Sequence, residues 1–130
     1  MEKIYSGKSL VGIKISFVPN GSIPQTEGNE PLQVVTLKHP KGTSLAAHYH
    51  KPKKRVTRQM QECMIVKKGK VRLDIYTLNG KFIKNLFLSA GQLYISMYGG
   101  IGVKVLKNCE LIEVKNGPFV EDKVLIKNGK

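Results

Sequence analysis

Tryptophan is absent from this chain and aromatic residues make up only 7% of it, which leaves little from which to build a base-stacking platform for single-stranded nucleic acid. Cysteine is nearly as scarce. Cys63 and Cys109 have no Cys-x-x-Cys spacing, so they form neither a disulfide framework nor a redox motif and are expected as reduced, half-buried strand residues. No stretch approaches the roughly 18 consecutive apolar residues of a membrane span. The first 18 residues lack the basic region, apolar run and small-residue cleavage site of a secretory leader, so a cytoplasmic protein with no membrane partner is expected. Helical periodicity with caps at both ends is missing from every eleven-residue window, and no repeat or low-complexity tract occurs. Acidic residues are few: nine, against 22 basic ones, for a formal charge of +13. Arginine is scarce too, with only Arg55, Arg58 and Arg72. Bidentate recognition of phosphates and bases favours Arg over Lys, and the lysines are spread along the whole chain as a solvated surface would have them. Nucleic acid is therefore not the expected partner.

What the chain does contain is period-two alternation. A length of 130 residues suits one domain (1–130) that buries about two-thirds of its unfolded surface. Strands are expected at 10–17, 32–38, 44–50, 60–66, 70–77, 81–88, 92–98, 101–106, 109–115 and 122–126, joined by glycine turns. Residues 18–31 (VPNGSIPQTEGNEP) are too rich in proline and glycine for a central strand and read as a loop or arm. Asn79-Gly80 is a hairpin signal, and Lys67-Lys68-Gly69-Lys70 reads as a turn. In 71–76, Val71, Leu73 and Ile75 form a core side, and Arg72, Asp74 and Tyr76 a wet one. About ten short strands without helix define an all-β fold, a two-sheet antiparallel β-sandwich or barrel. An arm beside an apolar first strand can cross to a second copy, so a homodimer built at the N-terminal third is expected, by strand exchange or sheet packing.

The stretch from Gly42 to Gly69 carries the chemistry. His48 and His50 lie two apart in SLAAHYH, and a strand there puts both imidazoles on one face. In MQECMIV, Glu62 shares a side with Met60, Met64 and Val66, while Gln61, Cys63 and Ile65 point the other way. A carboxylate in that apolar company has to be paired, protonated or bound to a cation. Two imidazoles and a carboxylate facing inward together would be ligands for a divalent transition metal (Zn, Fe, Mn or Ni), the only cofactor the chain suggests. The basic cluster Lys53, Lys54 and Arg55 directly follows the histidines, where it would suit a phosphorylated or carboxylated small molecule. Tyr49 and Tyr98 are further candidate ligand contacts.

The joint spacing resembles the first motif of the cupin superfamily: Gly42, five residues, His48-x-His50, then Glu62, six residues, Gly69. The gap from His50 to Glu62 is longer than the family's usual three or four residues. Gly91, QLYISM and Tyr98-Gly99-Gly100 are similar to the opening of the second motif. Ile101 stands where that motif carries its histidine ligand. The runs His48 to Pro52, Gln61-Glu62 and Glu113 to Phe119 resemble a small group of poorly characterised bacterial cupins, some found beside surface-sugar pathways, and the likeness spans about residues 40–123. It implies a jelly-roll barrel with its ligands inside, here with one of four metal ligands lost.

Three functions of different class share these residues. In a metal-dependent enzyme, His48, His50 and Glu62 hold the ion. A metal-free sugar isomerase or epimerase of nucleotide-sugar metabolism or polysaccharide biosynthesis would use His48 or His50 as base, with Tyr94, Tyr98 or Tyr49 as acid. A non-catalytic pocket for a small anionic or sugar-related ligand would be walled by Met60, Met64, Met97 and Ile101.

Overall fold

The computed structural model describes residues 1–126 and contains, among them, eight strands and no helix. In chain order these are β1 (Glu2–Ser6), β2 (Ser9–Ile15), β3 (Gly21–Pro24), β4 (Val35–Lys38), β5 (Glu62–Tyr76), β6 (Phe82–Ser89), β7 (Leu93–Ser96) and β8 (Gly100–Lys115). All pairings are antiparallel. One sheet runs β1-β2-β7-β5-β6 with β8 along the other edge of β5, and it curls into a half-barrel; β3 and β4 form a separate two-stranded ribbon.

The long strand β5 organises the sheet. Its first half pairs with β7 and its second half with β6 on one edge, while β8 follows it along the other. Alternation then builds a core on each face. Met64, Val66, Val71, Leu73 and Ile75 join Ile4, Val11, Leu86, Leu88 and Tyr94 on one side. Cys63, Ile13, Ile15, Ile95 and Met97 pack on the other, where Leu32 and Val34, just after the arm, cover them. The arm thus lies back on its own sheet.

Several expectations change. The Lys67–Lys70 turn does not form; residues 60–66 and 70–77 merge into one strand, irregularly paired with β8. Gly69 makes this possible with φ of 90°, and a side chain there would fall on the Asn108 carbonyl oxygen. Residues 101–106 and 109–115 likewise merge into β8, and 122–126 form no strand. The histidine strand at 44–50 is absent: residues 39–61 contain no strand. Alternation alone gives Leu45, Tyr49 and the histidines no ladder to join, and Pro40 and Pro52 bracket a segment containing Ala46 and Ala47, poor strand formers. Inside the arm, Gly21–Pro24 does pair with β4, but only in a two-stranded ribbon, whose edges tolerate proline. The first strand, β1, falls in a segment not expected to be one.

Two residues on the supposed wet side of β5 are also buried. Asp74 is 3% exposed, and Arg72 offsets its desolvation by donating from Nε and Nη2 to the two carboxylate oxygens at 2.9 and 3.1 Å. Tyr76 is 5% exposed, with its ring edge-to-face against Phe82. The Asn79-Gly80 hairpin forms as expected: Thr77 N–H donates to the Lys81 carbonyl at 2.8 Å, and Gly80 takes φ of 84°.

Candidate functional site

Register decides what faces the hollow of the half-barrel. Directly opposite residues in an antiparallel pair share a face. Glu62 of β5 is opposite Ser96 of β7 on one side and Lys115 of β8 on the other. In the next row, Met64 lies between Tyr94 and Glu113. Two rows of side chains therefore meet across three strands. Over them opens a cavity of about 980 Å³, lined by Glu62, Met64, Ser96, Ile101, Glu113 and Lys115, among others. Met60 and Arg58 reach it from the chain entering β5, Tyr98 from the end of β7, and Asp122 and Lys123 from the segment following β8.

Charges of both signs meet here. Lys115 Nζ lies 2.8 Å from Glu113 Oε1. Glu62 is half-buried, and burial holds its carboxyl above the ordinary carboxylate range; the neighbouring Glu113 pushes the same way, while Lys115 and Lys123 oppose it. Glu62 therefore keeps its proton to higher pH than a solvated glutamate. The Lys115 ammonium is raised in turn, by its hydrogen bond to Glu113 and then by the charges of Glu113 and Glu62.

The expected site residues divide between this cavity and the surface. Glu62 and Tyr98 line it, as do Met60, Met64 and Ile101. Met97 does not, because alternation turns it into the core on the opposite face. His48 and His50 are exposed on the strandless segment with their ring centroids 5.2 Å apart, edge to face, and His48 Nδ1 is 3.0 Å from the Ala46 carbonyl oxygen. Neither histidine lines the cavity with Glu62. Among the described residues, no three His, Cys, Asp or Glu side chains stand together, and His48 and His50 are not brought to Glu62 in this arrangement. Ile101 lines the same cavity as Glu62, and the histidine pair does not. Lys53, Lys54, Arg55 and Tyr49 are also exposed and away from the cavity. Glu113, Lys115, Ser96 and Arg58 were not expected there; Glu113 and Lys115 enter the cavity from the end of β8.

Tyr94, the candidate acid, is placed otherwise. It is 1% exposed in the core, and its hydroxyl has no hydrogen-bond partner among the described residues. Burial pushes the phenol far above its ordinary pKa. An unmatched buried hydroxyl costs roughly 1–3 kcal/mol. Tyr94→Phe is therefore expected to leave stability unchanged or raise it by about 1 kcal/mol in urea unfolding. A loss of stability would mean that the hydroxyl is bonded after all.

The cysteines behave largely as expected. Both are free; Cys63 is fully buried, its thiol pushed up to about 11, and Cys109 is half-buried. Among the described residues, no helix is long and apolar enough to cross a membrane. Comparison with family models, with curated proteins and with solved structures returns no match.

Proposed function

We propose that this chain is a small-molecule-binding protein of the cupin jelly-roll kind, and that the cavity over β5, β7 and β8 takes a sugar-like ligand rich in hydroxyl groups. The observation that carries this is the row Ser96, Glu62 and Lys115, with Glu113 beside it, over an apolar floor of Met64 and Ile101. Carboxylates accept from ligand hydroxyls, Lys115 donates to them, and the apolar floor suits the C–H face of a sugar ring. Balanced charge disfavours a bare anion, because Glu62, Glu113 and Asp122 would repel it. An anionic substituent on the sugar has Arg58, Lys115 and Lys123 to meet it. Glu62 is the group best suited to give a proton to a ligand oxygen, which is what supports acid–base chemistry as a second reading of the same site.

Calorimetric titration with neutral monosaccharides, sugar phosphates and inorganic phosphate is the test. Saturable binding of at least one sugar class is expected, weakened at least about tenfold by Glu62→Gln, in keeping with the loss of a charged hydrogen-bond partner. Absence of binding by every sugar and sugar phosphate, or tighter binding of phosphate alone, would end the proposal. Stability gives a parallel readout. The folded pKa of Glu62 is raised, so folding takes up a proton and its contribution declines as pH rises from the ordinary carboxyl range through the folded value. Glu62→Gln should therefore melt higher than the native protein at neutral pH, and the gain should vanish in acid.

A further inference from the structure

We infer that two copies of the chain associate through their β8 strands, paired antiparallel about a twofold axis near the middle of the strand. The 16-residue strand β8 is bonded to β5 along one edge, and none of the described strands pairs with its other edge. It is long and carries exposed apolar side chains, with Val103, Val105, Leu106, Ile112 and Val114 all 43–52% exposed. Its charges decide the occupant. Lys104 and Lys107 lie in its first half; Glu110 and Glu113 lie in its second, which ends on Lys115 and keeps a net negative charge. A second β8 running antiparallel sets each basic half against an acidic one; a parallel copy would oppose like charges. The ion pairs these acids already make, Lys67 with Glu110 at 3.5 Å and Lys115 with Glu113 at 2.8 Å, are solvent-exposed and cheap to rearrange.

The pairing also bears on the cavity. Val103, Glu113 and Lys115 of β8 form its rim, and β8 is the last strand on that side, so a second copy extends the wall where the half-barrel stops. The association does not depend on the ligand reading and holds for an empty cavity as well. It differs from exchange of the N-terminal arm, directly after which Leu32 and Val34 already cover the chain's own sheet.

Sedimentation of the full chain at micromolar to high micromolar concentration tests it, using two charge variants. Lys104→Glu with Lys107→Glu leaves Lys115 as the one base of β8, and Glu110→Lys with Glu113→Lys makes the strand basic throughout. The native protein is expected to be a dimer, each variant alone a monomer, and their equimolar mixture a dimer again. A second measurement does not rely on those variants folding. Cys109 lies near the proposed axis, so a short bismaleimide should link two native chains through Cys109, with the link lost in Cys109→Ser and kept in Cys63→Ser. A native monomer at high micromolar concentration overturns the proposal. So does a dimer that survives both charge variants and resists the cross-linker but dissociates on Leu37→Lys in the ribbon, which would place the interface on the arm.

Discussion

Gly12→Ala is expected to destabilise the protein by about 3 kcal/mol, the upper end of what overpacking a core costs. Gly12 sits in the middle of β2, directly opposite Ser96, and the ring of Tyr94 crosses over it. A methyl group at this position would coincide with the phenol oxygen and the ring carbons next to it. Tyr94 cannot move aside cheaply, because it is fully buried among Val11, Met64 and Val66. The backbone of β2 cannot withdraw either, since it is bonded to β1 on one side and β7 on the other. The clash therefore has to be relieved by ejecting an aromatic ring from the core. Urea unfolding measures the loss, and a shift under about 0.5 kcal/mol would show that the ring repacks freely, against the density expected of an interior. Tyr94→Leu in the Gly12→Ala background should recover part of the stability. Tyr94→Phe should not, because the ring carbons overlap as well.

Gln61→Leu should cost about 3 kcal/mol for a different reason, the stranding of buried polar groups. Gln61 is 1% exposed and hydrogen-bonded at every part of its amide. Its Oε1 accepts from the Leu32 N–H at 3.1 Å, and its Nε2 donates to Glu30 Oε2 at 2.7 Å and to the Met97 carbonyl at 3.3 Å. Asn116 secures the same point from behind: its Oδ1 accepts from the Gln61 N–H at 2.8 Å, and its Nδ2 donates to Thr57 Oγ1 and to the Gln59 carbonyl. One side chain thus ties the arm to the start of β5. Leucine matches its bulk but leaves an N–H and a carboxylate oxygen without their partner. The arm should loosen before the sheet does. Amide exchange in residues 25–34 should speed up by more than that in β5, and uniform acceleration across both would show that the arm and sheet open together.

How much of this is legible in the sequence depends on the range of the interaction. Period-two alternation is a property of neighbours, and it correctly places Glu62 with Met64 and Val66 and sets Cys63 and Ile65 apart. The Asn79-Gly80 hairpin is equally local. Gly69 lies at the limit, since a positive φ serves a turn or a bulge equally well, and only the approach of Asn108 from β8 decides between them. Lys115 and Glu113 join Glu62 through a register between segments far apart in sequence, which no spacing rule reveals. His48 and His50 fail in the converse way: alternation is necessary for a strand, but pairing makes one, and no strand runs beside them. Alternation places Gln61 only on the side opposite Glu62; its burial depends on residues 30–32, which no local pattern brings over it.

The way β5 shares its edges sets the order in which the protein can become stable during synthesis. Three pairings lie within short stretches of chain: β1 with β2, β3 with β4, and β5 with β6. Those that join the hairpins wait for the last third, since Gly12 needs Ser96 and Glu62 needs Lys115. A ribosome that has released only the first 90 residues has therefore produced isolated two-stranded ribbons, which are marginal in water. Emergence of β7 and β8 then consolidates them within a few seconds of one another at ordinary elongation rates of roughly 5–20 residues per second. Until then the apolar face of β5 has no cover, and chain truncated before Gly100 should be captured by chaperones or lost to aggregation rather than accumulate as a smaller fold.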